Sequence, residues 1–123
     1  MIAQVARLLK QQAKKLDICI HIVNSVQEEI GLRGAEMIAH RLKPDIAIIT
    51  DVCHDTSTPM IDKKKHADTR CGQGPVISVA PSVQNNLRLF IEEVAEKKNI
   101  EFQRLASSKR TGTDTDSFAY TGN

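Results

Sequence analysis

Four carboxylates stand out by position. Glu28 and Glu29 are adjacent, Asp51 closes an apolar run, and Asp114 follows Gly112-Thr113 in a polar stretch. Each cluster falls at or just after the end of a predicted strand, and open α/β sheets bind ligands outside the carboxyl ends of their strands. A single exposed carboxylate is by default a solvated surface group. Several on one sheet edge repel each other and call for a cation or a proton to compensate them. Adjacent glutamates leave a strand in different directions. One can therefore hold a metal while its neighbour meets the activated water as a base. Alone, a Glu-Glu pair is a weak motif.

The elements that must position these groups follow from periodicity. Ile2, Val5, Ala6, Leu9, Ala13 and Leu16 form a stripe at helical spacing, beginning abruptly at Met1 without a capping residue. Residues 18–26 are rich in β-branched side chains and predict a buried strand that includes Cys19 and His21. A short helix is predicted through Gly34–His40, ended by Pro44, and a second apolar strand through Ile46–Thr50. The polar stretch from Cys53 to Pro75 reads as loop, including the basic run Lys63-Lys64-Lys65-His66. Beyond it come a strand at Val76–Val79, a helix at Leu87–Lys98 and a strand at Ile100–Leu105. A polar loop at Ser107–Asp116 follows, with a last strand starting near Ser117. Helices alternating with apolar strands predict an α/β fold with a largely parallel, covered sheet.

Composition narrows the function classes. With 17 basic and 15 acidic residues in 123, the net charge of +2 lacks the concentrated basic surface that nucleic acid requires. One Tyr, three Phe and no Trp offer no stacking platform for bases. Cys19, Cys53 and Cys71 form no CxxC pair and no disulfide framework, which suits a reducing cytosol, with Cys19 in a strand and the other two as loop thiols. No apolar run reaches membrane-spanning length and no signal peptide is visible, so the expectation is a cytoplasmic protein with neither nucleic acid nor membrane as partner.

The segment Gln27-Glu28-Glu29-Ile30-Gly31-Leu32-Arg33-Gly34-Ala35 resembles the QEE(V/I)GLRGA signature of the TET or glutamyl aminopeptidases, a family of dinuclear metallopeptidases. Pro44 to Val52 is similar to its PD-x-AI-x-x-DV segment, Gly72-Gln73-Gly74-Pro75-Val76-Ile77 to GKGP-x-I, and Gly112-Thr113-Asp114 to GTDA. These matches keep the family's order and cover almost the whole chain. The resemblance implies a three-layer αβα, zinc-peptidase-like fold, and a metal-dependent aminopeptidase that removes N-terminal residues from peptides by metal-activated water. Glu28 would be the general base, and Glu29 and Asp51 ligands to two divalent ions, zinc or cobalt, with manganese compatible. Gly112, Thr113 and Asp114 would bind the substrate, and His54, three residues after Asp51, would support a ligand or touch substrate. The other histidines read as structural or solvated: His21 within a strand, His40 at a helix end, His66 in the basic loop. Homo-oligomers are implied for the full-length family.

Departures from the pattern also set expectations. The family's LD(N/D)(R/K)xG motif, which supplies a metal-bridging aspartate, and its late histidine are absent from these residues. Met60 stands where a glycine often follows proline, and Thr115 replaces the alanine of GTDA. The expectation is that residues 1–123 are a partial metallopeptidase catalytic domain, incomplete at both ends and inactive alone. The alternative is a non-catalytic remnant serving as a peptide-binding or assembly module.

Overall fold

The computed structural model describes residues 1–11 and 16–121. Helix α1 (Ile2–Gln11) carries the predicted apolar stripe with none of its residues buried. Ala13 of that stripe lies outside the described residues, and Leu16 lies beyond the helix. Helix α2 (Arg33–Leu42) buries Ala35 and Ala39, four residues apart and so on one face. It stops at Lys43, which turns left-handed (φ 44°) while its N–H bonds Ala39 O at 2.9 Å, and Pro44 follows. The lysine run forms a one-turn helix, α3 (Lys63–His66), in place of the predicted loop. Asp62 caps it, accepting from Lys64 N at 3.0 Å, and Lys63 pairs with Asp68 at 2.9 Å.

Strands β1 (Val76–Val79) and β2 (Gln103–Ala106) pair in parallel, with Val76 opposite Gln103 and Val79 opposite Ala106. Helix α4 (Asn85–Lys97) makes the crossover between them, as a parallel pair requires. Gln84 starts it by accepting from Leu87 N at 2.6 Å. Helix α5 (Asp114–Tyr120) packs on α2.

The α/β class with parallel pairing is as predicted; three of the expected strands are not found. Neither 18–26 nor 46–50 is a strand, because a strand exists only through ladder bonds to a neighbour, and among the described residues the one sheet joins β1 and β2. Their apolar side chains stand uncovered, Ile18 at 68% and Ile48 at 70% exposure. Cys19 and His21 are accordingly exposed, not buried in a strand. The third, near Ser117, is instead helix α5, because Thr113 caps that segment by accepting from Thr115 N. Met60 takes φ 72°, the region that favours glycine, so the backbone keeps a glycine-like conformation there under a side chain. Among the described residues no helix is long and apolar enough to cross a membrane.

One glycine and one amide attach the long loop to the sheet. Gly74 (φ +81°) lies so close to the chain ahead of β2 that a Cβ would meet Glu101 O at 2.0 Å. Gln103 then clamps the loop: Nε2 donates to Arg70 O (3.0 Å) and Gly74 O (3.1 Å), while Oε1 accepts from Arg70 N (2.8 Å).

Glu92 joins α4 to β2. Its side chain is 7% exposed and accepts from Arg88 Nη1 (2.5 Å) and from Arg104 Nε (3.1 Å) and Nη2 (2.8 Å). The Arg104 bond, opposed by burial and reinforced by Arg88, holds the carboxyl below its ordinary value of 4.5. A carboxyl lowered in the folded state stabilises the fold where both states are ionised, and that contribution is lost as pH falls from 4.5 through the folded value. Thermal melts followed by circular dichroism should therefore show a stability loss below pH 4.5 that is smaller in Glu92→Gln. Equal acid sensitivity in the two proteins would remove Glu92 from the account.

Candidate metal centre and catalytic carboxylates

The Glu28-Glu29 turn is built by exclusion. A Cβ on Gly34 would sit 2.4 Å from Val26 O and 2.6 Å from Val26 N, so the start of α2 can lie on the chain ahead of the turn only without a side chain. Gly34 N donates to Val26 O at 3.0 Å, and Leu32 N and Gly31 N donate to Glu28 O at 3.0 and 3.2 Å. Gln27 (φ 60°) and Leu32 (φ 55°) are both left-handed, local strain that this packing holds in place. The QEE-x-GLRG word is thus a tight turn entering a helix, with Glu28 half-buried and Glu29 exposed.

Three separate stretches of chain bring carboxylates to this turn. Burial raises the Glu28 carboxyl above its ordinary value, and the charges of Glu29, Asp51 and Asp114 raise it further. These carboxylates stand at a turn, a loop and a helix start rather than on the strand-lined rim expected from the sequence. Asp51 is exposed, with Oδ1 accepting from Val52 N at 2.7 Å. Asp114 accepts from Ser25 Oγ through Oδ2, while its Oδ1 is buried without a hydrogen-bond partner. His54 is exposed and lies in a neighbouring cleft with Cys53, Asp55 and Cys71.

The Gly112-Thr113-Asp114 loop is held by a residue the sequence reading passed over. Asp116, 4% exposed, accepts from Gly112 N (2.9 Å) and Thr111 N (3.2 Å). Burial raises its carboxyl, but these and neighbouring hydrogen bonds outweigh it and leave the group below its ordinary value. Thr113-Asp114-Thr115-Asp116 has the spacing of a helix-start capping pair, a signal that could have identified Asp116. Ser25, bonded to Asp114 across most of the chain, has no comparable local signal.

Crowded carboxylates with a raised Glu28 and an unpartnered Asp114 oxygen are a hard, oxygen-rich donor set that suits divalent cations. Among the described residues no three or more His, Cys, Asp or Glu side chains are spaced to hold one ion together. The donor set fits such an ion in kind and would supply part of its coordination. The turn itself gives a direct test. Gly34→Ala should lower stability by about 1–3 kcal/mol in urea unfolding, the usual cost of overpacking. An unchanged midpoint would show that Val26 can move away.

The sequence model of the M42 glutamyl aminopeptidases matches residues 1–123. The lysyl aminopeptidase of Pyrococcus furiosus is 42% identical over 95 residues, covering 77% of this chain and 27% of that protein. In structure, the chain is similar to the TET aminopeptidase of the marine sediment archaeon Thaumarchaeota archaeon SCGC AB-539-E09. The TM-score is 0.81 at 27% identity, over 99% of this chain and 34% of that one. The chain thus spans about a quarter to a third of the length of these relatives. A match over every residue, joined to the same fold around the Glu28-Glu29 turn, places this chain in the M42 glutamyl aminopeptidase family.

Proposed function

We propose that residues 1–123 form part of the catalytic domain of a metal-dependent aminopeptidase, an enzyme that hydrolyses the N-terminal peptide bond of peptides. The observation that carries this reading is the tight Gly34–Val26 turn that presents Glu28 and Glu29 together, in a chain matched along its length by the M42 glutamyl aminopeptidase model. Glu29 and Asp51 are the residues that would hold divalent ions, zinc or cobalt, with manganese suited to the same oxygen donors. Such ions supply Lewis acidity, lowering the pKa of water and polarising a carbonyl. Glu28 is the general base: its carboxylate would take a proton from the attacking water and return it to the leaving amine. Gly112, Thr113 and Asp114 form the loop that would bind the substrate, with the Asp114 carboxylate complementary to the ammonium of its N-terminus. His54 supports this site from the Asp51 side. A cytoplasmic homo-oligomer is the assembly we propose, in line with the TET neighbour and with uncovered apolar side chains such as Val52, 92% exposed.

The same uncovered surface favours a second reading, a non-catalytic module for peptide binding or assembly. Metal titration by calorimetry separates the two, since catalysis needs tight divalent binding that depends on Glu29 and Asp51. In a chain of the relatives' length carrying this region, Glu28→Gln should keep metal affinity and lose about 10²–10⁴-fold in turnover of an aminoacyl amide. Glu29→Ala and Asp51→Ala should lose both. Unchanged turnover in Glu28→Gln would remove the base, and metal-independent turnover would remove the whole reading.

A further inference from the structure

We propose that Cys53 and Cys71 are a thiol pair that closes into an intramolecular disulfide, a modification site beside the carboxylates and independent of the reading given to them. The two segments that carry them are locked together. Thr56 N and Thr56 Oγ1 both donate to Thr69 O (2.9 and 3.1 Å), and Thr69 N donates back to Thr56 Oγ1 (2.9 Å). Both threonines are buried, at 3% and 2% exposure, so this lock is shielded from competing water. Two further bonds extend it toward the cysteines: Thr69 Oγ1 to His54 O (2.8 Å) and Cys71 N to Asp55 Oδ2 (2.8 Å).

Stepping back from Thr56 to Cys53 and forward from Thr69 to Cys71 leads out of the lock on the same side. The Cys53 thiol reaches His54 O at 3.7 Å, the same carbonyl that Thr69 holds. Both cysteines line one cleft of about 210 Å³. Both are free and exposed, and Cys19 does not line this cleft but contacts His21 at 3.6 Å. A disulfide needs two α-carbons about 4.4–6.8 Å apart with thiols that can meet. Segments pinned by these bonds and lining one cleft hold the two thiols in one neighbourhood.

The chemistry balances with a low-molecular-weight disulfide such as oxidised glutathione as oxidant. The Cys53 sulfur attacks one glutathione sulfur, forming a mixed disulfide and releasing the first glutathione thiol. The Cys71 sulfur then attacks the Cys53 sulfur, displacing the second. Two protons pass from the protein thiols to the two glutathiones, and the two electrons go with them. A reduced dithiol reverses both steps. Closure would fix the chain two residues beyond Asp51 to the loop that precedes β1.

The test incubates the 123-residue protein with oxidised glutathione, removes the reagent and titrates thiols under denaturing conditions. The expected count falls from three to one, and peptide mapping finds Cys53 and Cys71 in one cross-linked peptide. In Cys71→Ser, Cys53 should end as a glutathione adduct, and Cys19→Ser should still form the link. Closure should be about tenfold or more faster in the folded protein than in urea, because the lock raises the effective concentration of one thiol at the other. Three thiols remaining, mixed adducts alone, a link to Cys19, or equal rates in urea would each overturn the proposal.

Discussion

Where Gly34 lies on the backbone of Val26 there is no room for a side chain, and this contact fixes how the chain turns from residue 26 into α2. The turn directs Glu28 and Glu29, and the helix it starts offers Ala35 and Ala39 as the face on which α5 packs. Helix α5 in turn brings Asp114 back to the turn, with Ser117 Oγ on Leu32 O at 3.4 Å. A sub-ångström steric limit at one glycine thus propagates into the placement of carboxylates far apart in sequence.

Two aspartates two residues apart show how environment divides labour within one loop. Asp116 is almost wholly buried and its oxygens are taken by backbone amides, so it is a structural anion. Asp114 keeps one buried oxygen without a partner, and its charge is among those that raise the Glu28 carboxyl. Like charges held this close cost free energy in the absence of a counter-ion. Neutral contacts, Ser25 to Asp114 and the α2–α5 packing, place Asp114 there, and among the described residues no ion pair joins these carboxylates. Glu92, by contrast, has two arginines to itself and binds helix to sheet.

Much of this was legible in the sequence where the signal is local. Periodicity located α2 and α4, and short apolar runs located β1 and β2. The loop reading of Cys53–Pro75 holds at Gly74, whereas Glu28 lies in a turn rather than at a strand end, and at Gly34 and Gly74 the backbone leaves no room for a side chain. The composition of the runs at 18–26 and 46–50 predicts strands, but pairing is not a property of a single segment, and the described residues give them no ladder. The strand expected near Ser117 is a helix because a four-residue capping pattern outweighs weak strand propensity. Ser25 and Gln103 act on partners 89 and 33 residues away, and nothing in their own neighbourhoods announces it.

The bond from Ser25 to Asp114 also separates the timing of the two halves of the architecture. The paired strands are joined by a single helix, so their contact closes a short loop, whereas the Ser25–Asp114 contact closes one of 89 residues. Loop-closure entropy grows with length, and distant contacts are correspondingly late to form. The βαβ unit can therefore assemble before the acidic groups meet. Their mutual repulsion weighs on the last stage of folding and leaves the early, local steps unburdened.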